Sequence, residues 1–271
     1  MLKDITIGQY FPGNSLLHKL DPRSKLVLTF VYILTIFFCK NFASLGVLVG
    51  YLVLAVLLSR LSLKLIAKSL KPIVLIVILT SVLQLFYEKD GIVLLEIGKW
   101  QLTSGGVLMA VFTTVRIISL VAASALLTYT TSPTLLTDAI ERLCSPLKVL
   151  KINVHSIAMM MTIALRFIPT LIDEVDKIMS AQKARGAQLD TGNLAARGKA
   201  MVPVFVPLFI NAFTRAYDLA FAMECRCYRG GDGRTRLRVM RLRGRDYITF
   251  LFTALCVAGV AAANYYLPAV I

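Results

Sequence analysis

The chain has 271 residues, 57% of them hydrophobic, a mean hydropathy of +0.74, and 30 Lys and Arg against 15 Asp and Glu. Soluble domains average about 45–50% apolar residues, so this composition excludes an ordinary soluble protein and points to an integral membrane one. The net charge of +15 fits basic loops beside anionic lipid rather than nucleic acid, because no aromatic–basic interleaving of a stacking groove accompanies it.

In chain order, the first 25 residues hold Asp4, His18 and Asp21 without a continuous apolar core, so they are not a secretory signal. Five apolar runs then read as spans: Leu26–Phe38, Phe42–Leu58, Pro72–Tyr87, Gly105–Tyr129 and Ile248–Leu267. The first two form a helical hairpin turning at Lys40-Asn41. Lys19, Arg23 and Lys25 precede the first span. Arg60, Lys64, Lys68 and Lys71 lie between the second and third, and Arg234, Arg236, Arg238, Arg241, Arg243 and Arg245 precede the last. Glu88–Leu102 carries only Lys89 and Lys99 against Glu88, Asp90 and Glu96. The positive-inside rule therefore predicts a cytoplasmic N-terminus, an outer Glu88–Leu102 loop and a cytoplasmic Thr130–Asp246.

That cytoplasmic stretch reads as two long helical arms. Ser132-Pro133 starts a helix with a Ser cap and a first-turn Pro; Ser145-Pro146 breaks it. Asn153 caps the next helix, which runs through Met159, Met160, Met161 and Arg166, kinks at Pro169 and ends at Arg185, with Gly186 as its C-terminal cap. Asp173 and Lys177 are spaced to pair on it. The second arm is expected to start near Met201, with Pro203 and Pro207 delimiting its first turns, and to end at Arg226. Pro203, Pro207, Arg215 and Asp218 argue against its crossing the bilayer. The organisation expected is residues 1–129 for the N-terminal segment and four spans, 130–246 for a coupling module, and 247–271 for a last span.

Catalytic chemistry is hard to find. Five cysteines include no CxxC pair, and Cys225/Cys227 have no neighbouring Cys or His to complete a metal site. His18 and His155 have no carboxylate–histidine cluster nearby in sequence. Gly192–Ala200 misses a phosphate-binding loop, because Arg197 stands at the second Gly position and Ala200 replaces the hydroxyl residue. No cofactor is expected. Arg116 is the one clear charge inside a span, placed to meet a backbone carbonyl or a partner helix. A stand-alone secondary permease is the alternative reading; it leaves the two arginine tips unexplained. On composition alone, Arg185 and Arg226 are cations at solvated helix C-termini.

Several motifs carry a resemblance along nearly the whole chain: Tyr10-Phe11-Pro12-Gly13-Asn14-Ser15, Leu16 to Leu26, Thr130-Thr131-Ser132-Pro133, Leu165-Arg166-Phe167-Ile168-Pro169, Gln182 to Ala187, and Ala222 to Gly231. Together they resemble the transmembrane coupling (T) components of energy-coupling factor transporters. The resemblance implies an all-α bacterial or archaeal membrane subunit that joins two ABC-type ATPase subunits to a substrate-binding S component in a vitamin or metal-ion importer. It implies that ATP hydrolysis belongs to those partners. It also implies that two helices end in Ala-Arg-Gly motifs whose arginines dock on the ATPases. Ala184-Arg185-Gly186 matches intact. Cys225-Arg226-Cys227 matches only at the arginine, which keeps the docking charge and is expected to hinder close backbone approach. Met159, Met160 and Met161 offer an adaptable surface suited to S components.

Overall fold

The computed structural model describes residues 10–87, 92–97, 100–150, 153–187, 193–231 and 240–267. Asp4, Glu88, Lys89, Asp90, Lys99, Gly192, Arg234, Arg236 and Arg238, used above, lie outside the described residues.

Asp21 opens α1 (Pro22–Phe37): its carboxylate accepts the Arg23 amide at 2.9 Å, and Pro22 fills the first turn, where no amide donor is needed. The turn at Lys40-Asn41 is present, and α2 runs Phe42–Ser59 behind Asn41. The third apolar segment is longer than its sequence suggested. It begins with α3 (Leu63–Leu70), passes a 3-10 turn at Lys71–Ile73 and continues as α4 (Val74–Tyr87). Pro72 tightens this helix instead of starting it, because a 3-10 turn tolerates the missing amide. The charged loop that follows contains an antiparallel hairpin, β1 (Val93–Ile97) with β2 (Trp100–Thr103). Thr103 then caps α5 (Ser104–Thr130) by accepting the Gly106 amide at 3.2 Å. After it come α6 (Pro133–Leu143), a 3-10 segment at Ser145–Leu150, α7 (Val154–Ala184), α8 (Leu194–Cys225) and α9 (Gly244–Tyr266). The helical caps at Ser132 and Asn153 are as read, each accepting an amide in the first turn.

Among the described residues, six helical segments are long and apolar enough to cross a membrane: Phe42–Ser59, Leu63–Tyr87, Ser104–Thr130, Val154–Ala184, Arg197–Cys225 and Gly244–Tyr266. This set differs from the five spans expected. At 16 residues α1 reaches about 24 Å, less than a hydrocarbon core of about 30 Å. Both arms, by contrast, qualify by length and composition. No residue of α4 is buried, and Leu75, Ile78 and Leu83 are exposed. An apolar face of this extent is at home against lipid rather than water. The chain is a multi-pass, all-α membrane protein.

The described residues fall into two compact units, residues 10–139 with 240–267 in one and residues 140–231 in the other, with the division inside α6. In the first, Tyr32, Ile36, Leu45, Leu48, Phe112 and Val260 form the core where α1, α2, α5 and α9 meet. Arg116 is held here by a carbonyl and a ring. A terminal guanidinium nitrogen donates to the Cys39 carbonyl at 2.8 Å, and the group lies 4.6 Å from the Phe112 ring centre. The N-terminal motif is fastened to the same unit. The Phe11 amide donates to the Tyr129 carbonyl (3.1 Å), and the buried Lys25 ammonium to the Thr130 carbonyl (2.9 Å). His18 Nε2 donates to the Phe11 carbonyl (3.0 Å), leaving Nδ1 to accept from Ser15 Oγ at 2.6 Å. Two stretches of the resemblance, Tyr10 to Leu26 and Thr130 to Pro133, thus meet in one place for ordinary hydrogen-bonding reasons.

Candidate functional site

The second unit is built on α7 and α8, of 31 and 32 residues, each about 46–48 Å long at 1.5 Å per residue. α8 starts at Leu194, seven residues before the start expected from sequence. Pro203 and Pro207 lie within it rather than marking its first turns. Each proline deletes a single amide donor, and a long helix carries that loss. Pro169 likewise sits inside a continuous α7.

The arms are bound side by side. Glu174 of α7 accepts from Asn211 Nδ2 at 2.6 Å and pairs with Arg215 at 3.0 Å, both on α8. Among the described residues the ion pair on this part of α7 is this one, rather than Asp173 with Lys177. Phe167, Leu171, Ala216, Leu219 and Met223 line an apolar groove of about 330 Å³ along the seam.

Both arms end in the same backbone figure. At the end of α7 the Gly186 amide donates to the Lys183 carbonyl (3.0 Å) and the Ala187 amide to the Gln182 carbonyl (3.0 Å), with Gly186 at φ +86°. At the end of α8 the Cys227 amide donates to Glu224 (2.8 Å) and the Tyr228 amide to Met223 (3.0 Å), with Cys227 at φ +56°. These are two Schellman caps, and Arg185 and Arg226 hold the same C-cap position in each, both exposed. Ala184 and Cys225 are the last helical residues, and Gly186 and Cys227 make the left-handed turn. The Cys227 side chain does not prevent the turn that glycine makes in the first tip. It imposes a conformational cost instead, because a left-handed residue with a Cβ is disfavoured.

The second tip is also latched. Tyr228 Oη lies 3.0 Å from Met159 Sδ. Gly231 lies so close to the His155 ring that a Cβ there would stand 2.7 Å from Cγ. His155 Nδ1 is 3.0 Å from Glu141 Oε1. His155 therefore does have a carboxylate partner, which its sequence surroundings did not suggest: 14 residues and a helix break separate the two. The methionines divide accordingly. Met159 is half-buried behind Tyr228, while Met160 and Met161 are exposed. Sequence reasoning missed a second surface. Phe205, Phe209, Phe213, Tyr217 and Phe221 recur every fourth residue on α8, all exposed, in a stripe winding about 40° per step around a 3.6-residue helix. Their spacing alone would have revealed it.

Residues 13–237 match the family described as "Cobalt transport protein" (CbiQ). The chain is 47% identical over 265 residues to the energy-coupling factor transporter transmembrane protein EcfT of Ruminiclostridium cellulolyticum, covering 98% of this chain and 99% of that one. It is 48% identical over 254 residues to the Clostridium kluyveri protein of the same name, covering 93% of each. The Bacillus subtilis protein of that name is 42% identical over 246 residues, covering 91% of this chain and 93% of the relative.

Proposed function

Since the chain belongs to the family of energy-coupling factor transporter transmembrane proteins, whose members are the energy-coupling component of these transporters, we propose that its two arms carry motion from a pair of cytoplasmic ABC-type ATPases to a substrate-binding S component of a vitamin or metal-ion importer. The observation that carries this reading is the repetition of one geometry, an exposed C-cap arginine on a Schellman turn, at the ends of two helices tied to each other by Glu174, Asn211 and Arg215. Arginine keeps its charge at any working pH and presents a planar fork of donors. In a cleft lined by carboxylates or carbonyls such a fork holds in both pushing and pulling. Each long arm, packed along its partner, then passes a displacement to its far end.

In this reading the N-terminus and residues 130–246 face the cytoplasm: although both arms are long and apolar enough to cross a membrane, a crossing by each would put Arg185 and Arg226 on opposite sides. ATP hydrolysis resides in the partners. Arg185, with Ala184 and Gly186, docks on one ATPase; Arg226, with Cys225 and Cys227, docks on the other. Met160, Met161 and the aromatic stripe from Phe205 to Phe221 face S components, and Met159 supports the second tip. The bonding of Arg116 to the Cys39 carbonyl favours a structural cation over a transport pathway, which sets this reading ahead of a stand-alone permease. The test is co-purification of the tagged chain with its ATPases from the native membrane. Arg185→Glu with Arg226→Glu is expected to release them while the membrane protein stays folded, since a buried arginine anchor contributes about 2 kcal/mol or more. Undiminished co-purification rejects the proposal.

A further inference from the structure

Within the unit of residues 10–139 and 240–267, an open cavity of about 310 Å³ lies among α1, α2, α5 and α9. Leu28, Ala55, Leu58, Ala123, Leu126 and Phe252 are among its walls, and Lys25 is its only charged lining residue among the described residues. The Lys25 ammonium is committed to the Thr130 carbonyl and Thr131 Oγ1 at 2.9 and 3.4 Å. Away from Lys25 the cavity is closed by rings: Tyr32 stacks on Tyr51 at 5.8 Å between centres, and Tyr51 on Phe252 at 5.7 Å. From Lys25 to Tyr32 the slot is about 10 Å deep at 1.5 Å per helical residue. Its mouth opens on exposed Leu54, Leu58 and Ile248.

At the Lys25 end a second pocket adjoins the first through Leu20, which lines both. Lys19, Arg241 and Arg243 stand around it, all exposed. The two acids there are already engaged. Asp21 holds the Arg23 side chain, and Asp246 accepts the amides of Asp21 (2.9 Å) and Arg243 (2.8 Å). The Asp21–Asp246 bond ties the starts of α1 and α9 together, so both helices run from the basic pocket into the apolar slot. Polar and apolar recognition are therefore arranged along one axis.

We propose that slot and rim together hold one anionic phospholipid, with an acyl chain between the helices and the phosphate against Lys19, Arg241 and Arg243. The apolar slot runs into the basic rim through Leu20, so a ligand with a hydrocarbon tail and an anionic head matches both. Charge selects the headgroup, because basic residues near a membrane surface each favour anionic lipid.

The test uses the detergent-purified transporter complex, stripped of lipid and titrated with dioleoylphosphatidylglycerol or dioleoylphosphatidylcholine, with bound lipid counted by native mass spectrometry. One phosphatidylglycerol per chain is expected, with weaker phosphatidylcholine binding. Lys19→Gln, Arg241→Gln and Arg243→Gln are each expected to weaken phosphatidylglycerol binding about fivefold and leave phosphatidylcholine unchanged. Ala55→Phe, which fills the slot, is expected to abolish both. Should that variant misfold, the three exposed glutamine variants carry the test. Equal binding of the two lipids, or indifference to all three charge removals, overturns the proposal. So does a photocrosslinker at Ala55 that captures another protein chain in place of lipid.

Discussion

Replacing Cys227 by glycine separates the cost of the second tip's turn from its shape. Cys227 sits at φ +56°, where a Cβ costs about 1–2 kcal/mol. Glycine removes that cost but adds about 0.5–1 kcal/mol of chain entropy to be lost on ordering. The net expectation is stabilisation of the α8 cap by about 0.5–1 kcal/mol, a two- to fivefold shift in its opening equilibrium. The two amides that close the cap, Cys227 to Glu224 and Tyr228 to Met223, report on it directly. Hydrogen exchange at residues 227 and 228 is expected to slow about two- to fivefold in Cys227→Gly, a local readout that does not require two-state unfolding of a membrane protein. The mirror experiment is Gly186→Ala. Nothing lies within 4 Å of a Cβ built at Gly186, whose φ is +86°, so only backbone strain acts there. Exchange at residues 186 and 187 is expected to quicken about two- to fivefold, the same net change with opposite sign. If Cys227→Gly accelerates exchange at its own cap, the equivalence of the two tips is wrong.

Three further outcomes follow from the packing. Gly231→Ala puts a methyl group against the His155 ring, so the latch at Tyr228 is expected to open; His155→Ala in the same chain makes room and restores it, and a Tyr228 amide whose exchange ignores both changes refutes the latch. Lys25→Met orphans the buried Thr130 carbonyl and is expected to cost about 1.5–3 kcal/mol, seen as a lower unfolding midpoint in detergent; an unchanged midpoint contradicts it. Glu174→Ala is expected to loosen the α7–α8 seam by about 1–2 kcal/mol, because it strands Asn211 as well. Arg215→Ala, at a site whose side chain is 41% exposed, is expected to cost under about 1 kcal/mol; exchange along α8 that ranks the two variants the other way counts against this pairing.

Much of the helical layout was legible because membrane insertion and capping are local. Long apolar runs located α2, α4, α5 and α9, and Ser132, Asn153 and Gly186 marked helix ends through side-chain acceptors and a left-handed turn. Errors arose where a local rule met a longer helix: Pro203 and Pro207 read as boundaries, yet α8 begins at Leu194 and passes through both. Charge dominated the reading of the loop after α4, although Val93–Ile97 and Trp100–Thr103 pair there. The arginines proposed to dock, Arg185 and Arg226, were legible only through resemblance, since a C-terminal arginine by itself is unremarkable on a helix. Their matching backbone turns needed coordinates, because cysteine is a poor predictor of positive φ.

By itself, the order of residues determined an all-α membrane chain with two long arms ending in arginine, since hydropathy, helix caps and short motifs act over a turn or two. Tertiary structure alone decided which distant groups meet: Lys25 with Thr130, Arg116 with Cys39, Glu174 with Arg215, Tyr228 with Met159. Such pairs are chosen by where helices cross and by the need of a buried polar group for a partner, and neither is written within any local stretch of sequence.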